Sequence, residues 1–305
     1  MALGEIEKKH GKLTKKRGKK HTFVGMDIEF MENGKVKITL EDYIKECIND
    51  FKDDVEGTAA TPADKGLFEI NEHSPKLSKE KHENFHSIVA KLLFVSKRAR
   101  LDIGLTIAFL CTRVSRSTEE DWKKLKRLLK YLQGTMNLPR IVGADNLSIM
   151  KTWVDAAYAV HHDMKSHTGG VMSFGTGVLN GKSAKQKLNT KSSTEAELVG
   201  ASDYMPWTIW TKRFMRYQGY HISSSVFYQD NESAIKLEKN GRKSCGEKSR
   251  HIEIRYFLIK DVLKREDIKI EHCRTDLMIA DFLPNPCKVT SFVNLETSSW
   301  GLLHH

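Results

Sequence analysis

From Ser148 onward the sequence reads as three successive apolar strands, then helices alternating with strands, and that order leaves few folds open. Strands are predicted at 149–155, 168–174 and 178–184, then a long helix at 193–218, a strand at 224–230 and a short helix at 231–239. A Gly- and Lys-rich loop leads to a helix at 248–266, a strand at 267–273 and a last helix from 276. Hairpin strands followed by alternating helices and strands describe a mixed α/β sheet.

The preceding residues have a different texture. Residues 1–20 carry eight Lys or Arg against two Glu with no periodicity, and read as a flexible basic leader. The stretch 23–40 reads as a β-hairpin turned at Glu32-Asn33-Gly34. Helices are expected from Glu41 to Phe51, from about His86 to Ser96 and after Ser117-Thr118-Glu119-Glu120, with a loop at 55–80. Gly134 is the expected C-cap of the last of these, and Pro206 is expected to kink the long helix. The chain therefore divides into a leader (1–20), a β-hairpin plus mainly helical region (21–145) and an α/β domain (146–305).

Net charge +11 points to a polyanionic partner, nucleic acid before membrane, although a basic soluble protein shows the same balance. Five cysteines lie far apart without a CxxC pair, and read as reduced thiols rather than as a zinc or disulfide framework. The basic N-terminus has no apolar core like that of a secretory signal. The expected location is the cytoplasm, within a particle, with the nucleus as the alternative.

Four acids sit where a sheet-based nuclease needs them. Asp155 and Asp230 end strands, Glu197 lies in the first turns of the long helix, and Asp281 lies in the last helix. Phosphodiester hydrolysis needs an activated water and a stabilised leaving oxygen, which two metal ions about 4 Å apart supply. Mg²⁺ prefers hard oxygen ligands, so carboxylates suffice, and Mn²⁺ is the natural substitute. Each acid also has a plain structural role open to it as a cap or a surface group. Glu195 competes with Glu197, but Ser192-x-x-Glu195 is a capping box that occupies Glu195. Glu197 is therefore the better choice.

At these acids the sequence resembles a known family. VDAAYA (154–159), DMKSHTGG (163–170), NGKSAKQ (180–186), SSTEAELVGAS (192–202), QDNESAI (229–235), SRHIEIRYFLIKD (249–261) and IADFLP (279–284) occur in order. Together they resemble the ribonuclease H domain of Ty1/copia-type retrotransposon polyproteins. FVGMDIEF and the helical stretches up to WKKLKRLLKYLQGT resemble the thumb and connection that join reverse transcriptase to that nuclease. The resemblance implies a ribonuclease H-like five-stranded sheet with flanking helices. It also implies Asp155, Glu197, Asp230 and Asp281 as catalytic, metal-binding carboxylates, and an RNA–DNA hybrid as substrate, with other polyprotein segments as further partners. Lys182, Lys185, Lys187, Lys191, Arg250 and Arg255 are the candidate phosphate contacts, joined by Lys260, Lys264 and Arg265 on the same helix.

There are departures. The polymerase fingers and palm are missing. Phe51-Lys52-Asp53-Asp54 imitates the polymerase metal turn but ends an amphipathic helix instead of joining two strands, so polymerase activity is not expected of this chain. Leu101 stands where the family usually has Pro, which should loosen a turn, and His272 lies on a strand rather than in the loop before the last acid. Two functions follow: a metal-dependent nuclease acting on RNA–DNA hybrids, or an inactive remnant that still binds nucleic acid.

Overall fold

Positive φ at two neighbouring residues shapes the first sheet. Val24 and Gly25 have φ of 51° and 76°, the signature of a two-residue turn whose twist suits the strands it joins. They divide the expected first arm of the hairpin into β1 (Lys20–Phe23) and β2 (Met26–Phe30), with Phe23 opposite Met26. A β-branched residue at positive φ is unusual, which hides this turn from a reading of the sequence. Gly34, at φ 77°, turns β2 into β3 (Val36–Thr39) as expected.

The structure, a computed structural model, describes residues 2–14, 16–240 and 259–288. The leader corrects one expectation, because Ala2–His10 forms a helix, α1. Glu5 in its first turn and Lys8 and Lys9 in its last complement the helix dipole.

Helices α2 (Glu41–Asn49), α3 (Lys79–Arg98), α4 (Gly104–Cys111) and α5 (Glu119–Gly134) share one apolar core, in which Phe51 stacks on Trp122 at 4.3 Å. α3 begins at Lys79 rather than near His86 because Ser78 caps it, accepting from Lys81 N. Thr118 and Asp121 form a capping box at the start of α5. That helix includes Gly134, and its C-cap is Thr135 instead. Asp53 accepts from the Trp122 indole at 3.1 Å and pairs with Lys126, so the Phe51–Asp54 stretch ties α2 to α5.

Between α3 and α4, a 3₁₀ turn (Leu101–Ile103) buries an ion pair. The Arg100 guanidinium donates to both Asp102 oxygens, at 2.7–3.2 Å, and to the Thr135 carbonyl at 2.7 Å, while the Tyr131 hydroxyl donates to Asp102 at 2.7 Å. Asp102→Ala leaves Arg100, only 1 % exposed, without its counter-charge. Denaturant unfolding should show a loss of about 3 kcal/mol, and a midpoint like that of the unsubstituted protein would show that the pair contributes nothing. Leu101 is buried in the cluster that includes Trp153, Val171 and Leu283, and a Cβ on Gly181 would lie 3.0 Å from its Cδ2.

β4 (Arg140–Val142) returns to pair with β3 and completes a sheet in the order β1-β2-β3-β4. A strand of three residues with so distant a partner leaves no local pattern. The second sheet contains β5 (Ile149–Ala157), β6 (His167–Ser173) and β7 (Asn180–Lys185) as antiparallel neighbours. After α6 (Ser193–Tyr217), β8 (Ser224–Gln229) pairs parallel to β5, and after α7 (Glu232–Asn240), β9 (Lys269–His272) pairs parallel to β8. The order β7-β6-β5-β8-β9 gives the expected mixed five-stranded, ribonuclease H-like sheet with β5 at its centre. α6 lays Leu198, Ala201, Tyr204 and Met205 on Met150, Val154 and Met172 of the sheet, and continues through Pro206 to Tyr217.

Of the helix expected at 248–266, residues 259–266 are described and are helical. No α-helix begins at 276. The described chain ends in 3₁₀ turns at Thr275–Leu277, Ile279–Phe282 and Pro286–Lys288, since Pro284 and Pro286 prevent an α-helix from continuing. Cys47, Cys111 and Cys273 are free thiols. No described helix is long and apolar enough to cross a membrane.

Candidate metal centre

β5 places Asp155 opposite Gly169 of β6, near the end where the parallel strands of the sheet terminate. Asp230 directly follows β8, and Glu197 lies in the first turns of α6, which packs on β5. Sheet centre, strand end and helix start thus meet at one point. Each of the three acids offers an oxygen, and these oxygens lie within 4.8 Å of one another.

The backbone holds two of the acids together. Ala156 N–H donates to Asp155 Oδ1 at 2.8 Å and to Glu197 Oε1 at 3.0 Å. Glu197 is 4 % exposed, and its other oxygen, Oε2, is buried with no hydrogen-bond partner. Asp230 accepts from the Thr275 hydroxyl at 3.1 Å. Burial, then the charges of Asp230 and Asp281, push the Asp155 carboxyl up to about 7. Burial, then Asp155 and Asp230, push Glu197 well above the usual carboxylate range. Such crowding opposes ionisation of the acids together unless a cation is present.

Asp281 stands slightly apart. It lies in the Ile279–Phe282 turn, outside the three-acid group, and its carboxylate is 3.4 Å from Lys288 Nζ. Its charge nevertheless reaches Asp155. Gly169 lets this turn approach the sheet, because a Cβ there would come within 2.6 Å of Leu283 Cβ and Pro284 Cδ. The choice between the two glutamates is clear in the geometry: Glu195 accepts from Lys191 N at 2.7 Å, in a capping role, while Glu197 faces Asp155.

The basic candidates separate. Lys185 pairs with Asp163 at 2.7 Å, and Lys182 donates to the Asp203 carbonyl at 3.2 Å, so both have partners within the fold. Lys187 and Lys191 are exposed in the connection between β7 and α6. Lys260 and Lys264 are exposed on the 259–266 helix, where Arg265 pairs with Glu266. Arg250 and Arg255 lie outside the described residues. Two residues went unnoticed in the sequence. Gln229, fully buried, donates to the Glu197 carbonyl at 3.3 Å, and Gln186 donates to the Ala196 carbonyl at 2.8 Å. Both anchor the start of α6, and the only sequence signal was their place at the ends of the QDNESAI and NGKSAKQ stretches.

The donor set suits a hard divalent cation: carboxylate oxygens alone, with one of them buried and unpartnered. Asp155, Glu197 and Asp230 would hold it, with Asp281 beside them.

Fold and acidic centre together define a mixed five-stranded α/β protein with three carboxylates gathered at the end of its central strand. No family model matches the chain. Over 200 residues it is 32 % identical to the retrovirus-related Pol polyprotein from transposon TNT 1-94 of Nicotiana tabacum, a match covering 65 % of this chain and 15 % of that one. Over 212 residues it is 28 % identical to the retrovirus-related Pol polyprotein from transposon RE1 of Arabidopsis thaliana, covering 69 % and 14 %. A foamy viral protease-reverse transcriptase, solved in complex with an RNA/DNA hybrid, is similar with a TM-score of 0.47 and 14 % identity, covering 84 % of this chain and 29 % of that one. Both transposon relatives are retrovirus-related Pol polyproteins, and the chain spans 15 % and 14 % of their length.

Proposed function

We propose that the chain is a metal-dependent endonuclease that cuts the RNA strand of RNA–DNA hybrids, as one part of a Ty1/copia-type polyprotein. In this reading residues 146–305 form the nuclease and residues 21–145 the thumb and connection. The observation that carries it is the meeting of Asp155, Glu197 and Asp230 within 4.8 Å at the centre of the sheet. Mg²⁺ ions at such a centre, replaceable by Mn²⁺, supply an activated water and neutralise the leaving oxygen.

The chain's own residues do the remainder. Ala156 N–H fixes the facing oxygens of Asp155 and Glu197, so that both carboxyls are set before a cation arrives. Lys187 and Lys191, on the exposed connection leading to Glu197, hold backbone phosphates without reading sequence. The RNA strand is distinguished by its 2′-hydroxyls and by groove shape. The pairing of Asp281 with Lys288 favours a second reading, a remnant that binds hybrid without cutting it.

The two readings separate in one assay. With Mg²⁺ and a hybrid labelled on both strands, the RNA strand is expected to shorten while the DNA strand and duplex DNA remain whole. A hybrid that is bound and left intact would establish the remnant, and cutting of the DNA strand would overturn the proposed substrate.

A further inference from the structure

A chain of buried hydrogen bonds leads away from the centre. His161, in the loop after β5, is 4 % exposed, and its Nε2 lies 3.0 Å from Nδ1 of His167, which is fully buried. His167 Nε2 lies 2.7 Å from the Ser183 hydroxyl, and that hydroxyl lies 2.9 Å from the Leu283 carbonyl, two residues beyond Asp281.

Chemistry gives the chain a single direction. A carbonyl only accepts, so the Ser183 O–H donates to Leu283. The Ser183 oxygen must then accept from His167 Nε2–H, which leaves His167 Nδ1 as an acceptor for His161 Nε2–H. Both rings are neutral in this arrangement. Burial favours that state, pushing His161 down to about 4 and His167 well below the usual range. At the outer end, Phe68 of the 55–80 loop meets the His161 ring edge-on at 4.8 Å.

We infer that His161, His167 and Ser183 are positioning residues: through the Leu283 carbonyl they fix the 3₁₀ turn that carries Asp281, and so set the distance of the fourth acid from the other three. The inference rests on the proposed nuclease centre for its purpose, though not for its geometry. Alternating strands alone would not hold this turn. It packs on Gly169, where no side chain can grip it, and the Ser183 hydroxyl supplies a hydrogen bond from β7.

The test uses the whole chain and two readouts. Amide hydrogen exchange in metal-free protein follows the Asp281 and Leu283 N–H groups, which bond to the Met278 and Ala280 carbonyls. Ser183→Ala is expected to speed exchange at both about tenfold, as loss of one buried hydrogen bond implies, and to leave the β5 amides unchanged. Ser183→Thr, which keeps the hydroxyl, restores slow exchange. His161→Phe, which keeps a ring against Phe68, gives a smaller acceleration at the same two amides. Calorimetric titration with Mn²⁺ is expected to show affinity falling in Ser183→Ala and recovering in Ser183→Thr. Unchanged exchange at both amides in Ser183→Ala overturns the inference. Faster exchange with unaltered Mn²⁺ affinity overturns its functional half. If the unsubstituted protein binds no Mn²⁺, the nuclease reading fails by itself and the exchange pattern alone decides whether the three residues position the turn.

Discussion

Asp155→Asn is expected to stabilise the metal-free protein and, at the same time, to cut the proposed metal-dependent cleavage sharply. Asp155 is crowded by Glu197, Asp230 and the charge of Asp281, and its carboxyl is pushed up to about 7. An asparagine keeps the shape and still accepts from Ala156 N–H, but brings no charge to be desolvated or repelled. At pH 8, relief of roughly 2 kcal/mol should raise the melting temperature by about 4 °C. The same change removes a ligand of the proposed metal centre, so the proposed cleavage should fall by a factor on the order of 10³, about 4 kcal/mol of lost stabilisation. The dependence on pH follows. The folded protein keeps a proton on Asp155 up to about 7, whereas the unfolded chain releases it near 4. Between these values the native state binds the extra proton, so metal-free stability declines as pH rises through the window. Asp155→Asn should flatten that decline, and cation affinity of the unsubstituted protein should rise as pH passes 7. Calorimetric scans from pH 4 to 8 check this, and an Asn variant with a lower melting point at pH 8 would mean that the acids are not in conflict.

Gly170→Ala is expected to have the largest effect on the fold. A Cβ at Gly170 would lie 2.3 Å from Tyr204 Cδ2 and 2.6 Å from Cε2, inside the ring's own contact distance. Tyr204 has no room to retreat. It is fully buried between α6 and the sheet, and its hydroxyl donates to the Asn180 carbonyl at 3.1 Å. α6 must therefore lift from β6, and that motion would also draw Glu197 away from Asp155. A loss of about 3 kcal/mol or more follows from overpacking of this kind. The double variant Gly170→Ala, Tyr204→Leu should recover part of the loss, because the smaller side chain vacates the position. Denaturant midpoints of the two variants measure this. Equal midpoints for the single variant and the unsubstituted protein would show that the helix is not seated as closely as the structure has it.

Much of the second sheet is legible in the sequence because each strand is bounded by turn residues and the helices between them start at clear caps. Ser192, Glu195 and the run after them are enough to separate the capping glutamate from the one in the centre. What could not be read has physical causes. β4 acquires its meaning only from a partner about a hundred residues earlier in the chain. The Val24-Gly25 turn uses a residue that ordinarily avoids positive φ. The 3₁₀ turns at the end of the described residues depend on the prolines that follow Asp281 as much as on apolar periodicity. Charge gives no hint of local partners either: the Asp203 carbonyl beside Lys182 and the Asp163 carboxylate beside Lys185 are distant in sequence.

Whether the three clustered acids are a nuclease centre is tested by the initial rate of RNA release from an RNA–DNA hybrid as Mg²⁺ is titrated, for the unsubstituted chain and for Asp155→Asn. The expected rate is zero without Mg²⁺, saturates as Mg²⁺ is added and falls about 10³-fold in the variant. A rate independent of Mg²⁺, or one undiminished in Asp155→Asn, would show that the acids are not such a centre.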